Sequence, residues 1–334
     1  MLINNLMKFC SSPYDTIMIQ ENGNVVSCIC GGWHTYGSMG NLHQNSLSEI
    51  FNNQHFNNFR NSIVDQSFKY CLKDQCPKLW NLDEVHNFDF VKNYPRLPTT
   101  ILLAIDRNCN LKCGSCRNSL TWEKPANVQA KKILDILVDE YKNFDSQVTF
   151  QCDGAGDIFA STAYKEFFFR EDLPKCFRFN LTSNGNLISK NLHILEKIQS
   201  QILSVGLSFD AATQDVYKDV RGGKLDLIIE GVKAMQNLGI ERINSSFIIQ
   251  KKNYFQVADY VNLCKDLGIR PIWISKLDRW WHMSDQWWKE NKLDDNPAVD
   301  YSQLIPLLRS IKHDQDVTMC GGVMSLLEKY AYID

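Results

Sequence analysis

The chain has 334 residues, is 44% hydrophobic and 22% charged, and sets 36 basic against 38 acidic residues for a formal net charge of -2. That composition suits a globular protein with a sizeable buried core, divided into one large domain and one smaller. No basic block and no apolar run of membrane-span length stands out, so neither nucleic acid nor membrane is expected as a partner.

The opening residues, MLINNLMKFC, lack a charged n-region and an apolar h-region, so no signal peptide is expected and the expected location is cytoplasmic. In a reducing compartment, twelve cysteines point to metal or redox chemistry rather than to disulfides. Cys10, Cys28, Cys30, Cys71 and Cys76 fall early. Cys109, Cys113 and Cys116 stand close together. Cys152, Cys176, Cys264 and Cys320 are scattered singly.

In chain order, DTIMIQ and VVSC flank the turn ENGN, and Asn22-Gly23 between apolar alternations predicts a hairpin. SLSE makes Ser46 a helix N-cap, with Glu49 closing a capping box. The proline-rich stretch NYPRLP, 93–98, reads as a linker between a first domain, 1–95, and a second, 96–334. Strands are then predicted at 99–106, 147–152, 177–183, 203–210, 243–250 and 270–275. Between them lie helical patterns. Ile133, Leu134, Leu137, Val138 and Tyr141 make one apolar face. Leu225, Ile228, Ile229, Val232 and Leu238 make another, stopped by Gly239. Val257, Ala258, Val261 and Cys264 make a third, stopped by Gly268. This alternation implies right-handed crossovers and a parallel sheet. The expected fold class is α/β: a partial (β/α)6 TIM-like barrel with a C-terminal helical extension, preceded by a small cysteine-rich α+β domain. In such barrels the reactive face lies at the carboxyl ends of the strands.

The segment DRNCNLKCGSCRN, 106–118, comes directly after the first of these strands. Soft thiolates select zinc, copper(I) or iron–sulfur clusters. Zinc needs a fourth ligand, and 106–120 offers no histidine and no further cysteine. Three thiolates on one loop can hold three irons of a four-iron cube and leave the fourth open to a chelating ligand. A structural zinc or an ordinary thiol loop is the plain alternative.

With C-x3-C-x2-C after the first strand of a β/α partial barrel, the sequence resembles the radical S-adenosylmethionine (radical SAM) superfamily. The resemblance implies a 4Fe–4S cluster on Cys109, Cys113 and Cys116 whose open iron binds SAM. It also implies reductive cleavage of SAM to a 5′-deoxyadenosyl radical that abstracts a substrate hydrogen. CDGAGDIF resembles the family's Gly-Gly-Glu-Pro segment, which puts Gly154, Ala155, Gly156 and Asp157 at the SAM amino group, with departures at Ala155, Asp157 and Ile158. TSNGNLI is similar to the family's Ser/Thr-Asn-Gly turn and implies Ser183 and Asn184 near the ribose or carboxylate. LSFDAATQDVYKDVRGG resembles a further family stretch and implies Ser208, Asp210 and Arg221 facing SAM or substrate. Ser115 stands where the family often has an aromatic residue. Read without the resemblance, the glycines and TSNG suit strand-end turns, and Asp210 with Arg221 suits a structural ion pair.

Cys10 before the hairpin, NGNVVSC across it, SLSEIF as a short helix and the pair in CLKDQC resemble the SPASM or shortened twitch domain. That domain usually comes after the barrel, whereas here it precedes it. The resemblance implies an auxiliary 4Fe–4S cluster on Cys10, Cys28, Cys71 and Cys76, with Cys30 spare or alternate. Four protein ligands suit an electron carrier, and a zinc site on the same cysteines is the structural alternative.

Once hydrogen has been abstracted, two outcomes are open, that of a radical SAM oxidoreductase and that of an epimerase. The auxiliary cluster accepts an electron and the substrate is oxidised, or a thiol returns hydrogen and the substrate is epimerised. Cys152, Cys176 and Cys320 are candidate donors by position, while Cys264 lies on an apolar stripe and reads as core. In RWWHMSDQWWKE, Trp280 with Trp287 and Trp281 with Trp288 share faces if the stretch is helical. Packing explains them, and so does an aromatic wall for a sugar ring or peptide side chain, with His282 a possible base nearby. The first 95 residues are taken up by the cysteine module, which favours a small polar or sugar-like substrate over a peptide, with flavodoxin or ferredoxin as reductant. From other classes come a non-catalytic iron–sulfur carrier or zinc scaffold, which would not cleave SAM, and a radical methyl or methylthio transferase.

Overall fold

A computed structural model of the chain describes residues 7–28, 37–73, 76, 79, 83–85, 94–117, 119–122, 127–153, 155–280 and 283–333. The expectations made for Cys30, Gly154, Trp281 and His282 lie outside the described residues. The chain divides into two compact units. One holds Met1–Arg107, Lys124–Gly156 and Ser161–Phe179, the other Asn108–Glu123, Asp157–Ala160 and Asn180–Asp334.

The strands of the first unit begin with β1 (Met7–Phe9), β2 (Thr16–Gln20), β3 (Asn24–Ser27), β4 (Gly40–Asn41) and β5 (Asp83–Val85). β1 and β5 form a small antiparallel ribbon. β2 and β3 are the predicted hairpin, with Ile17 opposite Ser27. Its turn needs Gly23, which sits at φ +81°. The helix Leu47–Phe51 starts at the predicted capping box of Ser46 and Glu49. The next helix, Gln54–Val64, is capped by Asn53, and Phe56, Phe59 and Ile63 bury its apolar face.

β6 (Thr100–Ala104) and β7 (Val148–Cys152) come next. β2 pairs in parallel with β6, Ile17 opposite Ile101, so the hairpin extends the same sheet as the first barrel strands. The order in this unit is β4-β3-β2-β6-β7. The helix Val128–Tyr141 packs its predicted apolar face here, where the Tyr141 ring meets Phe150 and Phe177 edge-on.

β8 (Phe177–Ser183) carries the chain into the second unit, which adds β9 (Ile202–Ser208), β10 (Ile243–Ile249), β11 (Ile272–Lys276) and β12 (Val317–Met319). From β9 to β12 each strand pairs in parallel with the next. The helices Leu225–Asn237 and Val257–Asp266 end as predicted, Gly239 and Gly268 taking φ +80° and +70°. Among the described residues β4 and β12 each have one neighbour, so the sheet is open, as in a partial barrel. One expectation is corrected. The helix in RWWHMSDQWWKE runs only over Asp285–Asn291, because Ser284 caps it by accepting from Trp287 N. Trp280 lies outside it, so no helical face joins Trp280 to Trp287. No helix among the described residues is long and apolar enough to cross a membrane.

Candidate active site

The loop after β6 turns back on itself at the cysteines. Cys109 N donates to Thr121 O at 2.7 Å, and Cys116 N donates to Cys113 O at 3.0 Å. Cys109 and Cys113 are buried and pack with Leu111, while Cys116 is exposed. Arg117 Nη2 lies 3.8 Å from Cys116 Sγ; burial lowers this guanidinium, but the neighbouring cysteines outweigh it and raise it. The Trp287 indole covers the middle of the loop. Its Nε1 is 3.2 Å from the point where a side chain on Gly114 would begin.

Asp157, from the loop after β7, is the hub beside these cysteines. It is 3% exposed. Its backbone N–H donates to Asn108 O at 2.8 Å. Its carboxylate accepts from Ser183 Oγ at 2.9 Å, Asn184 N at 2.8 Å and Phe159 N at 3.0 Å. Burial pushes this carboxyl up and the hydrogen bonds oppose that. The TSNGN turn is thereby fixed on the cysteine loop: Asn184 Nδ2 donates to Asn110 Oδ1 at 2.9 Å and lies 3.7 Å from Cys109 Sγ.

A second anchor comes from the strand after that turn. Asp210 stands just past β9 at φ +45° and is 1% exposed. It accepts from Ile248 N at 2.7 Å and from Arg221 Nε at 2.6 Å. Arg221 ends the helix Gln214–Arg221, and its carbonyl accepts from Cys113 Sγ at 3.5 Å. Burial alone would lower the guanidinium, but the charges of Asp210 and Cys113 raise it, so Arg221 stays protonated. The two residues form the ion pair of the plain reading, and the Arg221 carbonyl stands against Cys113.

The remaining candidates separate by position. Ser208, the last residue of β9, has its Oγ 3.2 Å from Ser246 Oγ in the middle of β10. Ala155 and Gly156 are half-buried in the loop after β7. Cys152 is fully buried in β7, and burial pushes its thiol well up. It shares the parity of Phe150, whose ring packs with Phe177 and Tyr141, so it lies on the helix-covered face. Cys176 precedes β8, at the strand's amino end, and Cys264 is buried against Ser245. Cys320 differs: it comes after β12 at the carboxyl end, N-caps the helix Gly321–Lys329 and is half-buried.

In the amino-terminal region Cys10 is buried with Ile63 and Phe68, and Cys71 packs against that cluster. Burial pushes the Cys71 thiol up to about 12, and Cys10 and Cys76 add to this. Cys28 ends the hairpin at φ +70°, its thiol 3.6 Å from Ser27 Oγ. Cys10, Cys71, Cys76, Cys109, Cys113 and Cys116 carry free thiols.

Several site residues escaped the sequence reading. Tyr217 OH accepts from Asn186 Nδ2 at 2.7 Å, and Asn186 Oδ1 accepts from Lys224 N at 2.8 Å, which closes the shell behind Asn184. The spacing of Tyr217 and Arg221, four apart on one helix, was the available signal.

Residues 104–271 match the family model described as "Radical SAM superfamily", which is half of the chain. The chain belongs to the radical SAM superfamily. Residues 10–77 match the SPASM model, "Iron-sulfur cluster-binding domain". A probable GTP 3′,8-cyclase of Methanococcus vannielii is 24% identical over 175 residues, 50% of this chain and 54% of the relative. One from Saccharolobus solfataricus is 24% identical over 99 residues, 29% of this chain and 32% of that one. The chain thus spans about half the length, or less, of the curated relatives it matches. Among solved structures, Streptococcus suis SuiB bound to S-adenosylmethionine is similar at 17% identity and a TM-score of 0.48, covering 80% of this chain and 56% of SuiB. The protein anSMEcpe with bound AdoMet is similar at 14% identity and a TM-score of 0.46, covering 64% and 57%.

The cofactors of this radical SAM chain are accordingly 4Fe–4S clusters and SAM. The donor set fits. A cube takes one thiolate at each of three irons, so its ligands need not converge on one point. Among the described residues, no three His, Cys, Asp or Glu side chains are gathered closely enough to hold a single metal ion. Burial raises Cys109 to about 11, so a bound cationic centre is what would hold it as thiolate at neutral pH. Cys109, Cys113 and Cys116 are the residues that would hold the SAM-binding cluster.

Proposed function

We propose that this radical SAM enzyme abstracts hydrogen from a small polar substrate and oxidises it, with the amino-terminal cluster as electron acceptor. The carrying observation is that Asp157, Asn184 and Arg221 reach the cysteine loop together from the ends of three elements. When bound, the cluster and SAM supply a 5′-deoxyadenosyl radical. The chain's own task is to hold and orient. Ala155, Gly156 and Asp157 shape the loop that would meet the SAM amino group. Ser183, Asn184 and Ser208 offer hydroxyls and an amide to the ribose or carboxylate. Asp210 keeps Arg221 charged and in place beside Cys113. On this reading Cys10, Cys28, Cys71 and Cys76 hold the auxiliary cluster within a domain spanning 1–95, and 96–334 form the catalytic domain. A flavodoxin or ferredoxin is the reductant.

Epimerisation is the second reading. It is favoured by Cys320, which stands half-buried at the carboxyl end of β12. The test is anaerobic reconstitution of the wild type beside a Cys109/Cys113/Cys116→Ala triple variant, with iron counted and 5′-deoxyadenosine assayed. About eight irons should fall to about four and deoxyadenosine should vanish. Wild-type protein that holds its clusters yet forms no deoxyadenosine sinks the catalytic reading in favour of an electron carrier.

A further inference from the structure

A buried cation in the first unit lacks a counter-charge. Arg60, on the helix Gln54–Val64, is 3% exposed. The charges acting on it are those of Tyr94 and Tyr14, and no carboxylate among the described residues pairs with it. Its Nε donates to Pro13 O at 2.9 Å, and its Nη1 donates to Tyr94 Oη at 3.2 Å and Asn57 Oδ1 at 3.3 Å. Its Nη2 has no hydrogen-bond partner among the described residues. The rings of Tyr94, Phe51, Phe56 and Tyr14 surround it, their centroids 4.3, 4.4, 5.1 and 5.8 Å from Cζ.

Such a cage eases the desolvation of a cation but brings no net negative charge. The Tyr14 phenol does not supply one, since burial pushes it up to about 12 although the Arg60 charge opposes this. Burial lowers the guanidinium too, yet a guanidinium starts so high that it stays protonated. Buried charges are ordinarily paired or held at a metal centre, and this one is neither among the described residues.

The surroundings of Arg60 lead to Cys10. Ile63, one turn further along the same buried helix face, packs against Cys10, and Cys71 packs against that pair. Pro13, whose carbonyl takes the Arg60 Nε–H, stands three residues after Cys10 in the turn Ser12–Asp15. On the other side of Cys10, the Phe9 ring meets the Tyr14 ring at 5.5 Å, and Tyr14 Oη donates to Arg60 O at 3.1 Å. Both chain segments leaving Cys10 are thus tied to Arg60.

We propose that Arg60 is the counter-charge of the auxiliary cluster and raises its reduction potential. A cube on four thiolates is anionic, and accepting one electron adds a further negative charge. Net charge and burial are levers by which a protein sets such potentials. A unit charge about 10 Å away, at an effective dielectric of about 20, shifts the equilibrium roughly tenfold toward the reduced form. Arg60 thereby favours transfer of an electron from a substrate radical to the cluster. This assignment deepens the reading above, in which Cys10, Cys28, Cys71 and Cys76 hold the auxiliary cluster, and rests on it.

A redox titration followed by electron paramagnetic resonance tests it. The reconstituted full chain carries Cys109/Cys113/Cys116→Ala, so that only the amino-terminal cluster gives a signal. Arg60→Met removes the charge and should shift the one-electron equilibrium about tenfold toward the oxidised form, lowering the midpoint by about 59 mV. Arg60→Lys keeps the charge and should restore most of that shift, whereas a purely structural role would move both variants alike. Iron counting and thermal melting check that each variant is folded and loaded. Arg60→Gln, neutral but still a donor, replaces Arg60→Met if the latter does not fold. A midpoint unchanged in the charge-free variant, or lowered as much in Arg60→Lys, overturns the proposal while the cluster reading stands. Absence of any amino-terminal iron and signal in the Arg60 protein overturns the cluster reading and the proposal with it.

Discussion

The two cysteine regions are held by opposite physics. Around Cys109 and Cys113 the anchoring neighbours are buried and polar: Asp157, Asn184, Asp210 and Arg221. Around Cys10 and Cys71 they are Ile63, Phe68, Phe9 and Leu79. Directional bonds fix a loop to within tenths of an ångström but penalise the loss of any partner. Apolar packing fixes volume and tolerates substitution by side chains of similar size. A loop that must present an open iron to a chelating ligand suits the first design. A site closed by four thiolates suits the second.

The largest test of that contrast is at the buried pair. Arg221→Met should destabilise the protein by about 3–5 kcal/mol, because it strands the Asp210 carboxylate in the interior. An Asp210→Leu/Arg221→Met double variant should recover much of that in thermal or urea unfolding. If the single variant melts like wild type, the polar anchor is not holding the loop.

In the apolar region the effect should be smaller. Cys10→Ala and Cys71→Ala should each cost about 1 kcal/mol of packing in protein without clusters. Iron should drop by about four while the SAM-binding cluster persists by electron paramagnetic resonance. Loss of all iron would mean that the two sites are not independent.

A pH effect sharpens the comparison further. Asp153 Oδ1 is buried without a hydrogen-bond partner among the described residues, and burial pushes its carboxyl from 3.8 to about 6. The folded state therefore binds the proton more tightly than the unfolded state, and the Asp153 contribution to stability falls as pH rises through that window. Asp153→Asn should flatten the decline relative to wild type, read from melting temperatures across the same range. An unchanged slope would show that Asp153 is solvated.

The smallest expected effect is at Gly114→Ala. The new methyl meets Trp287 at 3.2 Å, a contact that a small indole shift relieves, so the cost should stay below about 1 kcal/mol. A larger loss, restored by adding Trp287→Ala, would make the indole a rigid cover of the cysteine loop.

The local features were legible in the residues themselves. The hairpin at Asn22-Gly23, the capping box at Ser46, the helix stops at Gly239 and Gly268 and the strand–helix alternation all arise from backbone preference and hydrophobic period, which act within a few residues. The motif Cys109, Cys113, Cys116 was legible for the same reason, since its ligands share one loop. Features that depended on distant residues were not. Asp210 and Arg221 read equally as ion pair or site residues until the structure set the Arg221 carbonyl against Cys113. Cys152, Cys176 and Cys320 looked alike until strand parity put Cys152 under the helices and chain direction put Cys320 at a strand's carboxyl end. The two faces of β8, β9 and β10 were written as alternation in FRFNLTS, LSVGLSFD and INSSFIIQ. Only tertiary structure decided which half of that alternation the helices cover, because a period of two names two faces and packing alone chooses between them.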